Sequence, residues 1–480
     1  MIETNLPSAE SELKEVINLF PKNDELVIKH KFTETPGKYS NLVTLAGKAY
    51  AFCNLSHDPK DEILKKRLIK RYAKLSLYRA LSAYYGINLP WGALTGIRPT
   101  GLAYKEMDEN GNFEEFFTDV MKVSREKTAL TRAVIEAQKG IYDKNPDNTD
   151  FFAFVPFCPS RCKYCSFITR DLKHSAPLAD EYADALVKEI EYSAKFVKKL
   201  RSIYVGGGTP VALSDENLVK VLKAVEKINT GVEFTVEAGR PDRITKENLA
   251  ILKDFGVTRI CVNPQTFSDE TLKRIGRNHT AAEAIEKYLL AKEDFSVNMD
   301  FIAGLEGEVF STFEKSIKKA IELSPDDITV HSLCIKHGAY LAEEKDRVDC
   351  AEIEKMVEFA EKALSDAGYR PYYLYRQKYM AGNLENVGYA KPGKACLYNI
   401  GNMEETASVL ALGAGAISKW LFNQDERAVL SGYDPELLRF SNIQLRIERA
   451  ANVRNIEQYV SRVDEMIARK REMIFPEARA

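Results

Sequence analysis

A chain of 480 residues and 54.2 kDa can bury a large core and hold two or three structural units. Its 68 basic and 70 acidic residues nearly cancel, which argues against nucleic acid or another polyanionic partner. No run has the apolar length that spans a bilayer, the acidic opening MIETNLPSAESELKEV is unlike a targeting segment, and eight irregularly spaced cysteines do not make a disulfide framework, so the reading is a cytoplasmic protein without a membrane anchor.

Residues 1–147 read as an α+β domain. LVIKHKF (26–32) and NLVTLAGKAYAFCN (41–54), split by the turn-rich TETPGKYSN, predict a hairpin. From about Asp61 to Tyr85, Leu64, Leu68, Tyr72, Leu75, Tyr78 and Leu81 recur at helical spacing. The next stretch, NLPWGALTGIRPTGLAYKEM (88–107), breaks that pattern. It reads as a packed turn, or as a binding loop with Arg98 facing an anion. A helical stretch over about 113–141 ends at DKNPDNTD (143–150), the best domain boundary.

From Phe151 strands and helices alternate. Strands are expected at 151–157, 202–208, 232–239, 259–265, 296–305 and 327–333. Helices follow at about 179–199, 215–228, 246–254, 269–275 with 281–293, 312–323 and 351–367, and Ser214, Thr245 and Ser268 stand where N-caps belong. Six βα units predict a parallel sheet covered by helices, curled by right-handed crossovers into a partial (βα)6 barrel over 148–370. Chemistry in such barrels sits at the C-terminal strand ends. Residues 371–480 are expected to be a mainly helical extension that closes one barrel mouth and ends in a solvated amphipathic tail.

The first strand end carries FVPFCPSRCKYCS, with Cys158, Cys162 and Cys165 in C-x3-C-x2-C spacing. Three soft thiolates suit an iron–sulfur cluster that keeps one iron open, whereas structural zinc wants a closed shell of four. The other readings are a zinc site completed by His174 or Cys261, or three reduced core thiols. GGGTP (206–210) follows the second strand; its glycines let a ligand approach the backbone, or simply make a turn. Glu237 ends the third strand, Gln265 the fourth, and Asp300 lies within the apolar fifth, where a carboxylate costs desolvation unless paired or ligand-bound. Polar groups thus converge on the cysteine edge. GAGAIS (413–418) again offers close backbone approach or a tight turn. Cys53, Cys261, Cys350 and Cys396 read as structural.

The triplet followed by GGGTP resembles the radical S-adenosylmethionine superfamily. VPFCPSRCKYCSF, YVGGGTP, FTVEAGRPD, NPQTFSDETLKRIGRNHT and NMDFIAGLEGE resemble its oxygen-independent coproporphyrinogen III oxidase family, and LTGIRPT with YRQKYMAGNLENVGYAKPG point to the HemZ branch, coproporphyrinogen dehydrogenase. The resemblance implies a 4Fe–4S cluster on Cys158, Cys162 and Cys165. It implies one or two S-adenosylmethionine molecules against Tyr164, Gly207, Gly208, Thr209, Glu237, Gln265, Arg277, Asp300 and Ile417. The implied reaction is radical decarboxylation of two propionates of a tetrapyrrole to vinyl groups, with Arg277, Arg98 or Arg376 as carboxylate partners. A small redox protein would feed electrons to a monomer. Phe167 stands where the best-characterised oxidases carry a further cysteine, and Phe152 where they carry a tyrosine. The CSF ending is shared with the haem-chaperone branch. A haem-binding chaperone without oxidase activity and an anaerobic haem-ring-opening enzyme therefore stay open, with His331, His337 and Cys334 available as axial ligands.

Overall fold

Ala46 and Gly47 both take positive φ, 47° and 80°, and turn the chain inside the second β-rich stretch of the N-terminus. The expected hairpin is thereby a longer meander. In the computed structural model, which describes residues 2–21, 23, 25–55, 62–95, 98–167, 169–333, 350–377, 383–422 and 446–475, β1 (Ile2–Thr4), β2 (Ile28–Thr35), β3 (Lys38–Leu45) and β4 (Lys48–Leu55) form one sheet in that order. α1 (Glu10–Ile17) packs on α2 (Glu62–Tyr85), and α2 packs on β3, where Tyr39, Val43 and Leu45 are buried. The stretch 88–107 buries Trp91 as a packed turn would, but its second half is helical: α3 (Pro99–Asn110) starts on Pro99, where the missing N–H is no loss, and ends at Gly111 with φ 76°. The helix expected over 113–141 is a short π-turn, Phe116–Val120, and then α4 (Arg125–Ala137), separated where Lys122 takes φ 60°. Two compact units result, Met1–Arg132 with Gly382–Leu384 and Ala133–Ala381 with Glu385–Ala480.

The second unit holds the expected strand–helix alternation. β5 (Asn148–Val155) leads through β6 (Phe157–Cys158) and β7 (Arg170–Asp171) to α5 (Ala176–Ser193) and β8 (Lys199–Gly207). Then come α6 (Asp215–Glu226), β9 (Glu233–Gly239), α7 (Lys246–Asp254), β10 (Arg259–Val262), α8 (Asp269–Arg274) and α9 (Ala281–Ala291). β11 (Ser296–Ala303), α10 (Phe310–Leu323), β12 (Asp327–Ser332) and α11 (Cys350–Asp366) complete the series. Ser214, Thr245 and Ser268 each accept a hydrogen bond from the backbone N–H three residues on, as caps do. On α11 the stripe of Ile353, Met356, Val357, Ala360 and Leu364 is buried. The six strands run parallel as the partial barrel requires.

The C-terminal segment differs from the helical extension expected. Besides α12 (Leu397–Glu404), α13 (Ile456–Ser461) and α14 (Val463–Ile474) it supplies β13 (Arg370–Tyr375), β14 (Asn386–Ala390), β15 (Ser408–Leu412), β16 (Ile417–Phe422) and β17 (Arg446–Ala451). All five join the barrel sheet, whose order is β13-β14-β12-β11-β10-β9-β8-β5-β15-β16-β17. β15 pairs parallel with β5, while β16, β17, β13 and β14 are antiparallel additions. RIERAA has the composition of a helix but pairs along the full length of β16, so the tertiary partner overrides propensity. Nor is the tail a solvated one: α14 buries Met466, Ile467, Met473 and Ile474. Its Lys470 is also wholly buried, with Nζ 2.6 Å from Glu189 Oε1 and 2.5 Å from Asn452 Oδ1. Glu189, equally buried on α5, accepts from Tyr459 at 2.6 Å and from the Gly413 N–H at 2.8 Å.

Burial pushes the carboxyl of Glu308, just before α10, up to about 7, against the Thr266 hydroxyl that donates to it at 2.6 Å. A carboxyl raised in the folded state holds its proton longer than in the unfolded chain, so it removes stability as pH rises from the ordinary carboxylate range through 7. Glu308→Gln is accordingly expected to raise the denaturation midpoint at pH 8 and leave it nearly unchanged at pH 5. Equal shifts at both pH values would contradict this. No helix among the described residues is long and apolar enough to cross a membrane.

Candidate active site

Parallel strands deliver their C-terminal ends to one rim, and a cavity of about 740 Å3 opens there. All the residues expected at the site line it: the three cysteines, Tyr164, Gly207, Gly208, Thr209, Glu237, Gln265, Arg277, Asp300 and Ile417. Cys158 ends β6, and Cys162 and Cys165 follow in a turn closed by the Cys165 N–H on the Cys162 carbonyl at 3.1 Å. The Thr209 hydroxyl lies 3.6 Å from Cys158 Sγ, and Arg240 Nη1 lies 3.6 Å from Cys162 Sγ. Burial pushes the Cys158 thiol up to about 11 and raises Cys165 as well. Thiolates are therefore stable in this loop chiefly when a cationic centre joins them.

The GGGTP loop is zipped onto the cysteine strand. Gly208 N–H donates to the Val155 carbonyl at 2.8 Å and Thr209 N–H to the Phe157 carbonyl at 2.7 Å. Gly207 takes φ 109°, which turns its N–H onto Glu237 Oε2 at 2.7 Å, while the Tyr204 hydroxyl donates to Oε1 at 2.6 Å. Burial raises the Glu237 carboxyl, and the charge of Asp300 adds to that rise against the two hydrogen bonds.

Across the rim, Asn298 donates to Asp300 Oδ1 at 2.7 Å, and His331 Nε2 lies 3.8 Å from Oδ2. Gln265 bridges to β11, its N–H on the Asp300 carbonyl at 2.9 Å and its carbonyl receiving the Ile302 N–H at 3.1 Å. It holds φ 68°, a strained conformation for a residue with a Cβ and one that concentrates at functional sites. Arg277 donates to the Tyr164 hydroxyl at 2.8 Å and to the Asn263 carbonyl at 3.3 Å. Gln265 Oε1, Asn263 Oδ1 and Arg277 Nε are buried without a hydrogen-bond partner, and their residues all line the cavity. Buried polar atoms are rarely left so; a polar ligand would satisfy them. Ile417, 49% exposed, and Phe167, 62% exposed, stand at the mouth.

Below the rim the cavity has an aromatic wall. Tyr398 of α12 stacks on Tyr204 at 4.4 Å between ring centroids and on Phe152 at 5.8 Å. Cys261 and Cys396 also line the cavity, as do Arg259 and Asp327 near the N-terminal ends of β10 and β12. Arg376 is buried between Tyr375 and Gln377, and Arg98 belongs to the first unit. Cys334 and His337 lie outside the described residues. Two functional candidates escape a sequence reading. Tyr398 comes from a stretch with no strand–helix rhythm, and Arg240 in EAGRPD signals itself only as a cation directly after a strand end.

Among the described residues no three His, Cys, Asp or Glu side chains converge as one metal ion requires. A cluster asks less, since several irons share its thiolates. Three thiols on one loop, a glycine loop zipped beside them and unpartnered polar atoms opposite fit a radical S-adenosylmethionine protein, and residues 152–320 match the Radical SAM superfamily. Within that superfamily the chain belongs to the oxygen-independent coproporphyrinogen-III oxidase-like family: it is 37% identical over 360 residues to the oxygen-independent coproporphyrinogen-III oxidase-like protein HemZ of Bacillus subtilis, covering 71% of this chain and 72% of that one. The heme chaperone HemW of Haemophilus influenzae is 31% identical over 57% of this chain and 71% of its own length. The chaperone HemW of Bacillus subtilis is 32% identical over 55% and 69%. The structure of coproporphyrinogen III oxidase HemN from Escherichia coli, described as a radical SAM enzyme, superposes with a TM-score of 0.52 at 19% identity, covering 69% of this chain and 73% of that one, and shows the shared fold. The superfamily binds a 4Fe–4S cluster and S-adenosylmethionine, and the donor set and unpartnered atoms here fit both.

Proposed function

We propose that this protein is an oxygen-independent coproporphyrinogen III oxidase. Each of two propionates would lose a β-hydrogen atom to a carbon radical, its carboxylate as carbon dioxide and one electron to an external one-electron acceptor, leaving a vinyl group. The observation that carries this reading is the depth of the cavity, which runs from the cysteine rim past the aromatic wall to Arg259 and Asp327. A radical reaction gains from such depth, which draws the reacting groups away from solvent.

Cys158, Cys162 and Cys165 would hold the cluster. Gly207, Gly208, Thr209 and Glu237 would meet the methionine part of S-adenosylmethionine, with Glu237 as the acceptor for its amine. Tyr164 and Ile417 would flank the nucleoside, and Gln265, Arg277 and Asp300 would meet the same molecule or a second one. Together, cluster and S-adenosylmethionine supply a hydrogen-abstracting carbon radical. The chain's own residues orient and shield. Glu237 is fixed from two sides by Tyr204 and Gly207, so it needs no reorganisation to receive a cation. Phe152, Tyr204 and Tyr398, stacked along one wall, would shield the reacting carbon from water. Arg277 is committed to Tyr164 but keeps its Nε for a carboxylate. A monomer in the cytoplasm fed by a small redox protein completes the reading.

Phe167, exposed at the mouth where a further cysteine would otherwise extend the motif, favours a second reading, haem binding and delivery. An anaerobic assay with S-adenosylmethionine, reductant and coproporphyrinogen III separates the two, with Cys162→Ala as blank. Vinyl-bearing product in step with 5′-deoxyadenosine is expected, and neither in the blank. Deoxyadenosine without tetrapyrrole change would reject the substrate, an opened haem ring would name another, and tight haem binding without turnover would favour the carrier.

A further inference from the structure

Arg240 has no part in the roles above. Its side chain, on a residue only 3% exposed, reaches from the end of β9 to the cysteine loop. Nη1 donates to Cys162 Sγ at 3.6 Å and to the Ser160 carbonyl at 3.3 Å, and Nη2 donates to Ser160 Oγ at 3.1 Å. Asp242 grips the opposite edge of the fork, with Nε to Oδ1 at 2.9 Å and Nη2 to Oδ2 at 3.2 Å. The turn that delivers the side chain depends on Gly239, at φ 57°. Arginine suits this place because its planar fork can hold a carboxylate and a second acceptor at once; lysine is a single point of charge. Arg277, also beside the loop, directs its two Nη groups to Tyr164 and Asn263. Arg240 thus bonds directly to a sulfur of the triplet.

We propose that Arg240 sets the reduction potential of the cluster by hydrogen-bonding the Cys162 sulfur. The inference rests on the cluster and not on the tetrapyrrole assignment. On reduction one electron passes from a low-potential one-electron donor to the cluster, whose charge becomes more negative by one; no proton moves and no bond of Arg240 breaks. A fixed guanidinium on the sulfur stabilises the more negative form more strongly, so it raises the potential. Asp242 works in the other direction, since its carboxylate offsets part of that positive charge.

The two residues therefore predict shifts of opposite sign. In a redox titration of the reconstituted full-length protein, followed by the electron paramagnetic resonance of the reduced cluster and with iron and sulfide counted, Arg240→Gln is expected to lower the reduced-to-oxidised ratio at fixed potential about tenfold. That equals a midpoint ~59 mV lower for a one-electron couple. Asp242→Asn is expected to raise the midpoint, and Arg240→Lys to fall between wild type and Arg240→Gln. A fully loaded Arg240→Gln with the wild-type midpoint overturns the proposal, as does a downward shift in both Arg240→Gln and Asp242→Asn, the mark of a loosened loop. Should Arg240→Gln fail to hold iron, Asp242→Asn decides: an upward shift supports the proposal and a downward or absent one rejects it. A wild-type protein that takes up no 4Fe–4S cluster overturns it together with the cluster assignment.

Discussion

Lys470→Met is expected to destabilise the barrel unit by about 3–5 kcal/mol, the cost of stripping one partner from a buried ion pair. The pair is wholly buried, and each oxygen of Glu189 already has partners: Lys470 and Asn452 on Oε1, Tyr459 and the Gly413 N–H on Oε2. Without the ammonium the carboxyl group is left in a dry pocket with only neutral donors around it. Adding Glu189→Gln to Lys470→Met should recover a good part of the loss, since an amide there is uncharged. Urea midpoints of the two single variants and the double variant check this; equal losses in Lys470→Met and the double variant would refute it. The pair also acts at a distance. The Gly413 N–H donates to Glu189, the Ala414 N–H to the Tyr182 hydroxyl and the Gly415 N–H to the Val453 carbonyl at 2.7 Å, so the turn before Ile417 hangs on α5 and on the chain just after β17. S-adenosylmethionine affinity is expected to fall in the single variant and return in the double.

Gly208→Ala is expected to cost at least ~100-fold in S-adenosylmethionine cleavage, the loss that a displacement of about 1 Å at a reacting centre can bring. A Cβ on Gly208 would stand 2.4 Å from the Phe157 carbonyl oxygen and 2.8 Å from that of Val155. Both obstacles are backbone, so no side chain can swing away. The loop must instead part from β6, breaking the Gly208 and Thr209 bonds to Val155 and Phe157 and pulling Thr209 from Cys158. Gly231→Ala is the control: that glycine takes positive φ, 82°, but a Cβ there meets nothing within 4 Å. It should lose stability without losing cleavage. Cleavage that survives Gly208→Ala unchanged would mean that the loop can leave the cysteine strand without harm.

The barrel was readable because its signals are local. Apolar runs mark the strands, Ser214, Thr245 and Ser268 mark helix starts, and the triplet with GGGTP marks the reactive rim. What escaped depends on pairings between distant parts of the chain. Cys162 lies 78 positions before its guanidinium partner, and nothing around Arg240 announces it. RIERAA became a strand only because β16 offered an edge. Lys470 sits in a charged helical stretch that reads as solvent-facing, and its partner lies 281 positions earlier. Tyr398 reached the cavity because α12 packs against β5, β8 and β13.

The parallel pairing of β15 with β5 has a consequence for how the protein is made. β5 carries the chain into the cysteine triplet, with β8 on one side and β15 on the other. During synthesis β8 follows soon after β5, but the other edge stays open until residues 408–412 have left the ribosome. An open strand edge next to three unligated thiols invites mispairing and oxidation. Cluster loading is therefore expected only once β15 has emerged, and a nascent chain stalled before β15 should take up less iron than the released protein.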